Sequence, residues 1–364
     1  MPRDLPLATL DRDELIELRS TVRAAAAEAG YPAAVRELEG SASGLDADLW
    51  KVLSEDIGLA AVGLPESAGG LGGLAELLAV AEELGGTLAP VPFVSSTVLG
   101  GQILAACGDS AEPYLERIAA GEIAGPGITD SRGLWAPDAV ACTSNGTTVT
   151  GTVRFVPFGA SASFFVVAAR TADGVDVFAV EATDATAASL PSLDFSRPSA
   201  TVDFNDSPAV RLTTGGSGHA AISDGVDVAL LAVAADQLGG TQACFDMTLD
   251  YVKVRRQFNR EIGSFQAIKH RMADALMLVE MARSGLEKVT WGDVESLSAE
   301  AAVLKAWGSD SYVAMTAEAI QLHGGIGFTW EHDAHLYFRR ARYDAAFLGD
   351  SAFQRERVAT LLAW

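Results

Sequence analysis

The segment "YVKVRRQFNREIGSFQAIKHRMAD" (residues 251–274) joins two long helical patterns and decides the fold of the C-terminal half. The runs on either side of it, residues 227–256 and 264–291, carry apolar residues at a spacing of three to four, which is typical of helices. Gly263 interrupts the pattern, and Gln266 begins the second run. Long antiparallel helices with a connection this short form a helical bundle.

The rest of the C-terminal half continues the helical pattern. Residues 296–325 are predicted to form a third long helix, and its opening Ser-Leu-Ser-Ala-Glu resembles a capping box. A fourth helix is predicted from about residue 333 to 343, and a fifth closes the chain. We therefore predict a C-terminal domain of the four-helix-bundle type over residues 216–364.

The first part of the chain divides into a helical and a β region. Residues 1–120 contain helical patterns, with Asp11 as a candidate N-cap of the first helix and Gly30 as its stop. Residues 121–215 are rich in Thr, Val and Phe runs separated by Asn-Gly, Phe-Gly and Asp-Gly pairs, which indicate strands and hairpins. The predicted fold is α+β: an N-terminal helical domain, a middle β domain and the C-terminal bundle.

Composition excludes several classes of protein. The formal net charge of −22 argues against nucleic-acid binding and against adhesion to an anionic membrane, although a local basic patch can still bind an anionic substrate. The sequence has no run of 18 uninterrupted apolar residues, and its start lacks a signal-peptide pattern. The three cysteines are far apart, so a disulfide framework or a zinc site is not expected. We expect a reduced, soluble, cytoplasmic protein.

The segment 251–274 is also the densest basic patch of this acidic chain. Two interpretations stay open for it. The arginines at the end of the first helix suit the negative end of the helix dipole. Alternatively they bind phosphate, since the guanidinium fork matches phosphate oxygens, and Phe258 supplies a ring beside them.

A second unusual segment is "AIQLHGGIGFTWEHDAHLYFRRAR" (319–342), with three of the five histidines and an adjacent glycine pair. Gly324 or Gly325 can serve as a helix C-cap, or the pair can let the backbone approach a ligand or another chain. His332 and His335 are three residues apart, but no cysteine is near and no metal site is predicted.

Together the two segments resemble signatures of the acyl-CoA dehydrogenase family. "RRQFNREIGSFQ" is similar to its Arg-x-x-Phe-Gly…Phe-Gln signature, with Asn259 where Gly is usual, and "QLHGGIGF" is similar to Gln-x-x-Gly-Gly-x-Gly-(Phe/Tyr). "GLPESAGGLGG" and "AEELGGTLAP" extend the resemblance into the N-terminal domain. The resemblance implies an FAD-dependent enzyme that oxidises an acyl-CoA thioester to the 2,3-enoyl-CoA and passes electrons to an electron-transfer flavoprotein.

The resemblance also implies which residues bind the cofactor. The family's counterpart of Arg255 reaches the FAD pyrophosphate of a neighbouring subunit, and the counterpart of Phe258 packs on that FAD. The counterparts of Gln321, Gly324 and Gly325 approach the same pyrophosphate. Gln266, the last residue of the first signature, is the remaining candidate for cofactor binding.

Other positions depart from the family. The catalytic Glu lies at one of two places in the family, and the matching residues here are Leu348 and Ala229, neither of which can abstract a proton. In the middle domain, a segment "ITDSRGLWAPD" (128–138) retains Thr129 but lacks the Gly-Ser pair of the family's motif. Phe155 replaces a Trp beside the flavin, and Pro157 replaces a Thr that hydrogen-bonds it.

The family residues that are missing here are those that would bind the chain's own flavin and act on its own substrate. The family residues that are retained are those that would reach the FAD of another subunit. This pattern resembles the non-catalytic subunit of actinobacterial α2β2 acyl-CoA dehydrogenases, some of which act on steroid CoA thioesters. The main alternative is a homotetrameric dehydrogenase, or a related flavin oxidase, in which Asp350 or Asp227 has become the base. A further alternative is a scaffold subunit that has lost FAD altogether.

Overall fold

The computed structural model describes residues 5–41, 43–130, 132–135, 139–292 and 294–363. The α-helices in these ranges are α1 Arg12–Glu28, α2 Ala47–Lys51, α3 Leu74–Thr87, α4 Gly101–Cys107, α5 Glu112–Ala119, α6 Gly218–Val254, α7 Gln266–Trp291, α8 Leu297–His323, α9 Ala334–Ala346 and α10 Ser351–Leu361. The strands are β1 Ala124–Gly127, β2 Cys142–Ser144, β3 Thr148–Pro157, β4 Phe164–Thr171, β5 Gly174–Glu181, β6 Thr186–Leu190, β7 Ser199–Pro208, β8 Val210–Arg211, β9 Arg256–Gln257 and β10 Arg260–Glu261. The α+β order of helices, sheet and helices is as predicted, while the domain boundaries near residues 120 and 215 stay a prediction.

The helix caps follow the local sequence. The Asp11 carboxylate accepts hydrogen bonds from the amides of Asp13 and Glu14, and Glu14 in turn accepts the Asp11 amide at 2.8 Å, which completes a capping box. At α8 the Ser296 hydroxyl accepts the Ala299 amide at 3.3 Å. The predicted capping box of α8 is wrong in its second half, because an alanine occupies the position where a returning Glu or Gln is required.

The strands between β1 and β8 form one eight-stranded sheet. Seven strands follow the order β6-β7-β3-β2-β4-β5-β8, and β1 pairs in parallel with β4. Val149, Val153, Phe165, Phe178 and Val202 alternate inward along four strands and form a separate apolar core. This face of the sheet is therefore packed by its own side chains.

The long helix α6 is the centre of the C-terminal bundle. It packs against α3 on one side and α8 on the other, and a Cβ at Gly239 would lie 1.9 Å from the Glu82 carbonyl oxygen of α3. Only glycine allows so close a crossing. Within the described ranges α6 is the one helix long and apolar enough to cross a membrane, but 78% of its apolar window is buried inside the protein, as in a core helix.

Candidate functional site

The two signature segments lie next to each other at one end of the bundle. Tyr251, in the last turn of α6, donates its hydroxyl to the carbonyl of His323 at the end of α8, at 3.3 Å. The two rings also stack, with centroids 4.3 Å apart. The chain that follows α6 and the chain that follows α8 therefore emerge side by side.

A two-residue hairpin presents Phe258 after α6. Strands β9 and β10 pair with Gln257 opposite Arg260, and the central residues Phe258 and Asn259 have φ of 51° and 62°. Both values are left-handed, as a type I′ turn requires, and Asn is one of the few residues that tolerates this conformation. This explains why Asn259 can occupy a position where Gly is usual. The Phe258 side chain projects from the tip and is 88% exposed.

The basic side chains of this segment divide into paired and unpaired groups. Arg256 forms an ion pair with Glu261 at 3.1 Å, and the Arg260 guanidinium lies 3.7 Å from the Phe265 ring centroid. The exposed Arg255 makes no side-chain hydrogen bond or ion pair with any part of the chain that the structure describes. Arg255 is thus available to an anionic group from outside the chain.

The next helix contributes less to an open anion site. Gln266, the first residue of α7, is exposed, and its amide lies 2.8 Å from the Nε2 of His270. Further along α7, Arg271 pairs with Glu318 of α8 at 2.5 Å.

The glycine pair has two distinct roles. Gly324 is the C-cap of α8 with φ of 64°, so the helix-cap interpretation is right for this residue. Gly325 has no left-handed φ, and a Cβ built on it meets no described atom within 4 Å. Neither backbone strain nor packing within the chain therefore requires Gly325 to be glycine. Open space above the backbone, beside the exposed Gln321 and Phe328, is what a closely bound external group needs.

The departures from the family gather around a different cavity, of about 210 Å³. Phe155 and Pro157 of β3, Thr129 after β1, and Phe347 and Leu348 after α9 line it. Leu348 is only 2% exposed and presents no polar atom from its side chain. The Thr129 hydroxyl donates to the Arg154 carbonyl at 3.1 Å, so it is already used within the chain.

The two places are separated by the length of one helix. The segment between α8 and α9, residues 324–333, carries the glycine pair and is called the glycine loop. It precedes α9, which has 13 residues, and Leu348 follows α9. At a rise of 1.5 Å per residue this helix spans roughly 20 Å. Part of the segment 128–138, namely residues 131 and 136–138, lies outside the described residues.

The candidate replacement bases have structural partners. Asp227 pairs with Arg357 and accepts the hydroxyl of Ser298. Asp350 is the N-cap of α10 and accepts the Phe353 amide at 2.8 Å. The cavity lining includes neither aspartate, and it does not include Ala229, which is buried in α6.

A buried amine holds the loop that carries Leu348. Lys305 of α8 is fully buried, and its Nζ donates to the Gly349 carbonyl at 3.1 Å and to the Ser309 hydroxyl at 2.9 Å. Burial lowers the pKa of Lys305 to about 8. Gln354 donates to the Leu348 carbonyl at 2.7 Å. These bonds fix the residue-348 position even though its side chain is apolar.

A buried ionic network joins the segment between β6 and β7 to the bundle, and no local sequence pattern predicts it. Arg340 of α9 donates to Asp194 at 2.6 Å and to Asp236 of α6 at 3.2 Å. Arg197 also pairs with Asp236, at 2.5 Å. Burial, together with the charge of Asp236, raises the pKa of Asp344 well above its usual range. In sequence these residues are indistinguishable from charged residues of a solvated helix face.

No group of three or more His, Cys, Asp or Glu side chains is placed to hold a metal ion within the described ranges.

Comparisons with known proteins find matches over most of the chain. The family models for the acyl-CoA dehydrogenase C-terminal and N-terminal domains match residues 216–362 and 12–122. The chain is 36% identical over 343 residues to Acyl-CoA dehydrogenase IpdE2 of Mycolicibacterium smegmatis. The alignment covers 94% of this chain and 96% of that protein.

Two solved heteromeric complexes contain similar chains. A chain of the ChsE4-ChsE5 complex from Mycobacterium tuberculosis is 28% identical with a TM-score of 0.86, and 99% of each chain is covered. A chain of the Tcur3481-Tcur3483 steroid ACAD is 28% identical with a TM-score of 0.86, covering 96% of this chain and 98% of that chain.

Proposed function

The chain belongs to the acyl-CoA dehydrogenase family of flavoprotein oxidoreductases, and from that premise we propose that it is the subunit of a heteromeric enzyme that completes a partner's FAD site. In this proposal the chain has no catalytic base of its own. The partner subunit supplies the base and most of the flavin site. The observation that carries the proposal is a contrast: Arg255 is exposed and unpaired within the described chain and Phe258 is 88% exposed, while the residue at the expected base position of the chain's own cavity is Leu348.

The exposed end of the bundle fits a dinucleotide phosphate. A free guanidinium at Arg255 can donate two parallel hydrogen bonds to phosphate oxygens. The open backbone at Gly325 can approach the same group, and the exposed ring of Phe258 offers a face for stacking. When bound, FAD supplies the hydride acceptor of the reaction. The residues proposed to be lent to it are Arg255, Phe258, Gln266, Gln321, Gly324 and Gly325.

The chain's own cavity does not fit a flavin held for catalysis. Pro157 has no amide hydrogen and no hydroxyl to donate to the isoalloxazine, and the Thr129 hydroxyl already donates to a backbone carbonyl. Leu348 cannot remove a proton from a thioester α-carbon. We therefore assign no step of the reaction to this cavity.

The partners follow from the same proposal. An α2β2 complex with a second acyl-CoA dehydrogenase subunit would oxidise an acyl-CoA thioester in the cytoplasm and pass electrons to an electron-transfer flavoprotein. Steroid-derived acyl groups are the favoured substrate class, because a similar chain occurs in a complex described as a steroid ACAD. The alternative of a relocated base is disfavoured, because Asp227 is ion-paired to Arg357 and Asp350 caps a helix.

Removal of one lent side chain tests the proposal. The chain is co-expressed with candidate dehydrogenase subunits, and the flavin content of each purified complex is measured by absorbance. Arg255→Ala should weaken FAD binding about 10- to 100-fold, the loss of one charge-assisted contact of roughly 1.5–3 kcal/mol. Arg256→Ala is the matched control, because Arg256 is already paired with Glu261. The complex with this variant should retain FAD. Equal flavin content in both variants would refute the proposal.

A further inference from the structure

Two of the chain's five histidines, His323 and His332, contact each other at the base of the glycine loop. Their ring centroids are 4.4 Å apart, and His323 also stacks on Tyr251 of α6. His323 is 4% exposed. The pair therefore lies between the segment that carries Gly324 and the helix that carries the Arg255–Phe258 hairpin.

The hydrogen bond of one ring requires a neutral imidazole, and the surroundings of the other disfavour a second proton. The Nδ1 of His332 accepts the amide hydrogen of Ala334, the first residue of α9, at 3.1 Å. The Nδ1 of His323 donates to the Ala319 carbonyl at 2.7 Å, which leaves its Nε2 as an acceptor. That Nε2 is buried and has no hydrogen-bond partner in the part of the chain that the structure describes.

Burial is the largest effect on the pKa of His332 and lowers it, while the charged groups around the ring act in opposite directions: Asp333 raises this pKa and Arg36 lowers it. Arg36 reaches the loop, where its Nε donates to the Trp330 carbonyl at 2.5 Å and its guanidinium pairs with Asp333 at 2.7 Å. Asp333, the acidic residue that acts on His332, is therefore ion-paired to Arg36. The other groups that act on the pair are Tyr251 of α6, which stacks on His323, and His335 of α9, which acts on His332.

We propose that His323 and His332 are positioning residues that act as an acid-sensitive latch, holding the Gly324–Gly325 loop against the end of α6. While both rings are neutral, the stack on Tyr251 and the bond from Ala334 fix the loop. Protonation of His332 places a hydrogen on Nδ1, opposite the Ala334 amide. Protonation of His323 creates a buried N–H without an acceptor, and two charged rings at 4.4 Å repel each other.

The sign of the pH dependence follows from burial. Burial lowers the pKa of His323 and of His332 below the ordinary value of 6.5. A histidine with a lowered pKa in the folded state binds its proton more tightly once the loop opens. The latch is therefore closed above about pH 6.5 and loses stability as the pH falls below that value. The consequence for a lent FAD rests on the function proposed above, but the opening of the loop does not.

Hydrogen exchange on the full-length chain, purified in the assembly that it forms, tests the latch directly. Protection factors for residues 324–333, corrected for intrinsic exchange, are measured at pH 7.5 and pH 5.5 by mass spectrometry. In the wild type they should fall at least about tenfold at the lower pH, while those of α6 stay constant. Unchanged protection of residues 324–333 in the wild type overturns the latch, whatever any variant does.

A matched set of variants separates titration from packing. His323→Phe keeps a ring on Tyr251, and His332→Asn keeps a side-chain acceptor for the Ala334 amide. The double variant should show less than about a twofold change in protection between the two pH values. His219→Asn, at an exposed histidine outside the latch, should behave as the wild type. A double variant that still opens at pH 5.5 contradicts the inference.

Flavin release distinguishes the latch from the proposed function. Free-flavin fluorescence of the wild-type complex should rise over the same pH range in which the loop opens, and the double variant should release FAD at a lower pH. If the loop opens with pH but no shared flavin is ever found, the proposed function fails and the latch stands. If flavin is shared but the loop does not open, the latch fails alone.

Discussion

Gly325→Ala should leave the chain stable and weaken flavin binding by the complex. A Cβ at this position meets no described atom within 4 Å, and the backbone is not left-handed. The free energy of unfolding should therefore change by no more than about 0.5 kcal/mol. The added methyl group occupies the space through which the backbone approaches a phosphate. Loss of that contact costs roughly 1.5–3 kcal/mol, or about a 10- to 100-fold weaker Kd for FAD.

The matched control is a glycine that the chain needs for itself. A Cβ at Gly240 would lie 2.2 Å from the ring of the buried Tyr312, so Gly240→Ala should destabilise the protein by about 1–3 kcal/mol or more. Both variants are compared in the co-purified complex by thermal unfolding and by titration of the flavin-stripped complex with FAD.

Two results would refute the reasoning about the loop. One is a Kd for FAD in Gly325→Ala within about twofold of the wild type, because the loop then does not approach the cofactor. The other is a fall in Tm as large as that of Gly240→Ala, because Gly325 then serves packing within the chain.

Three further predictions concern buried charges. Arg340→Met should destabilise the chain by about 3–5 kcal/mol in urea unfolding, since the buried Asp194 loses its cation and Asp236 keeps only Arg197; no loss would contradict the network. The pKa of Lys305 is lowered from 10.5 to about 8 in the folded chain, so between these pH values the unfolded chain binds the proton and the folded chain does not. The free energy of unfolding of the wild type should therefore rise by up to about 3 kcal/mol between pH 8 and 10.5. The same rise in Lys305→Met would refute this. Asp227→Asn should lower stability through its lost pair with Arg357 but leave turnover of the complex unchanged, whereas a relocated base predicts a loss of at least about 100-fold.

The sequence predicted the elements that depend on local patterns. Helices α6 and α7 and their connection follow from apolar spacing and from Gly263, and α1 begins at Asp11 because its carboxylate caps the first turn. Helix α6 begins at Gly218, nine residues before the predicted helical run that starts at residue 227. These added residues pack against the sheet, and this contact extends the helix.

The site could be predicted only in part. The signature segments indicated Arg255 and the glycine pair, but only the structure shows that Arg256 is paired with Glu261 while the likewise exposed Arg255 is unpaired within the described chain. The burial of Lys305 and Arg340 depends on contacts between distant elements, and no local pattern records those contacts. For the same reason the sequence pattern predicts only ordinary polar residues of a helix turn at His323 and His332, and does not predict that their rings contact each other.

The most direct test of the central claim is the flavin content and native mass of this chain, expressed alone and with a neighbouring dehydrogenase subunit. Our account predicts that the chain alone is colourless, and that the co-expressed complex is yellow with one FAD for each pair of different subunits. A yellow assembly of this chain alone, with one FAD per chain, would contradict it.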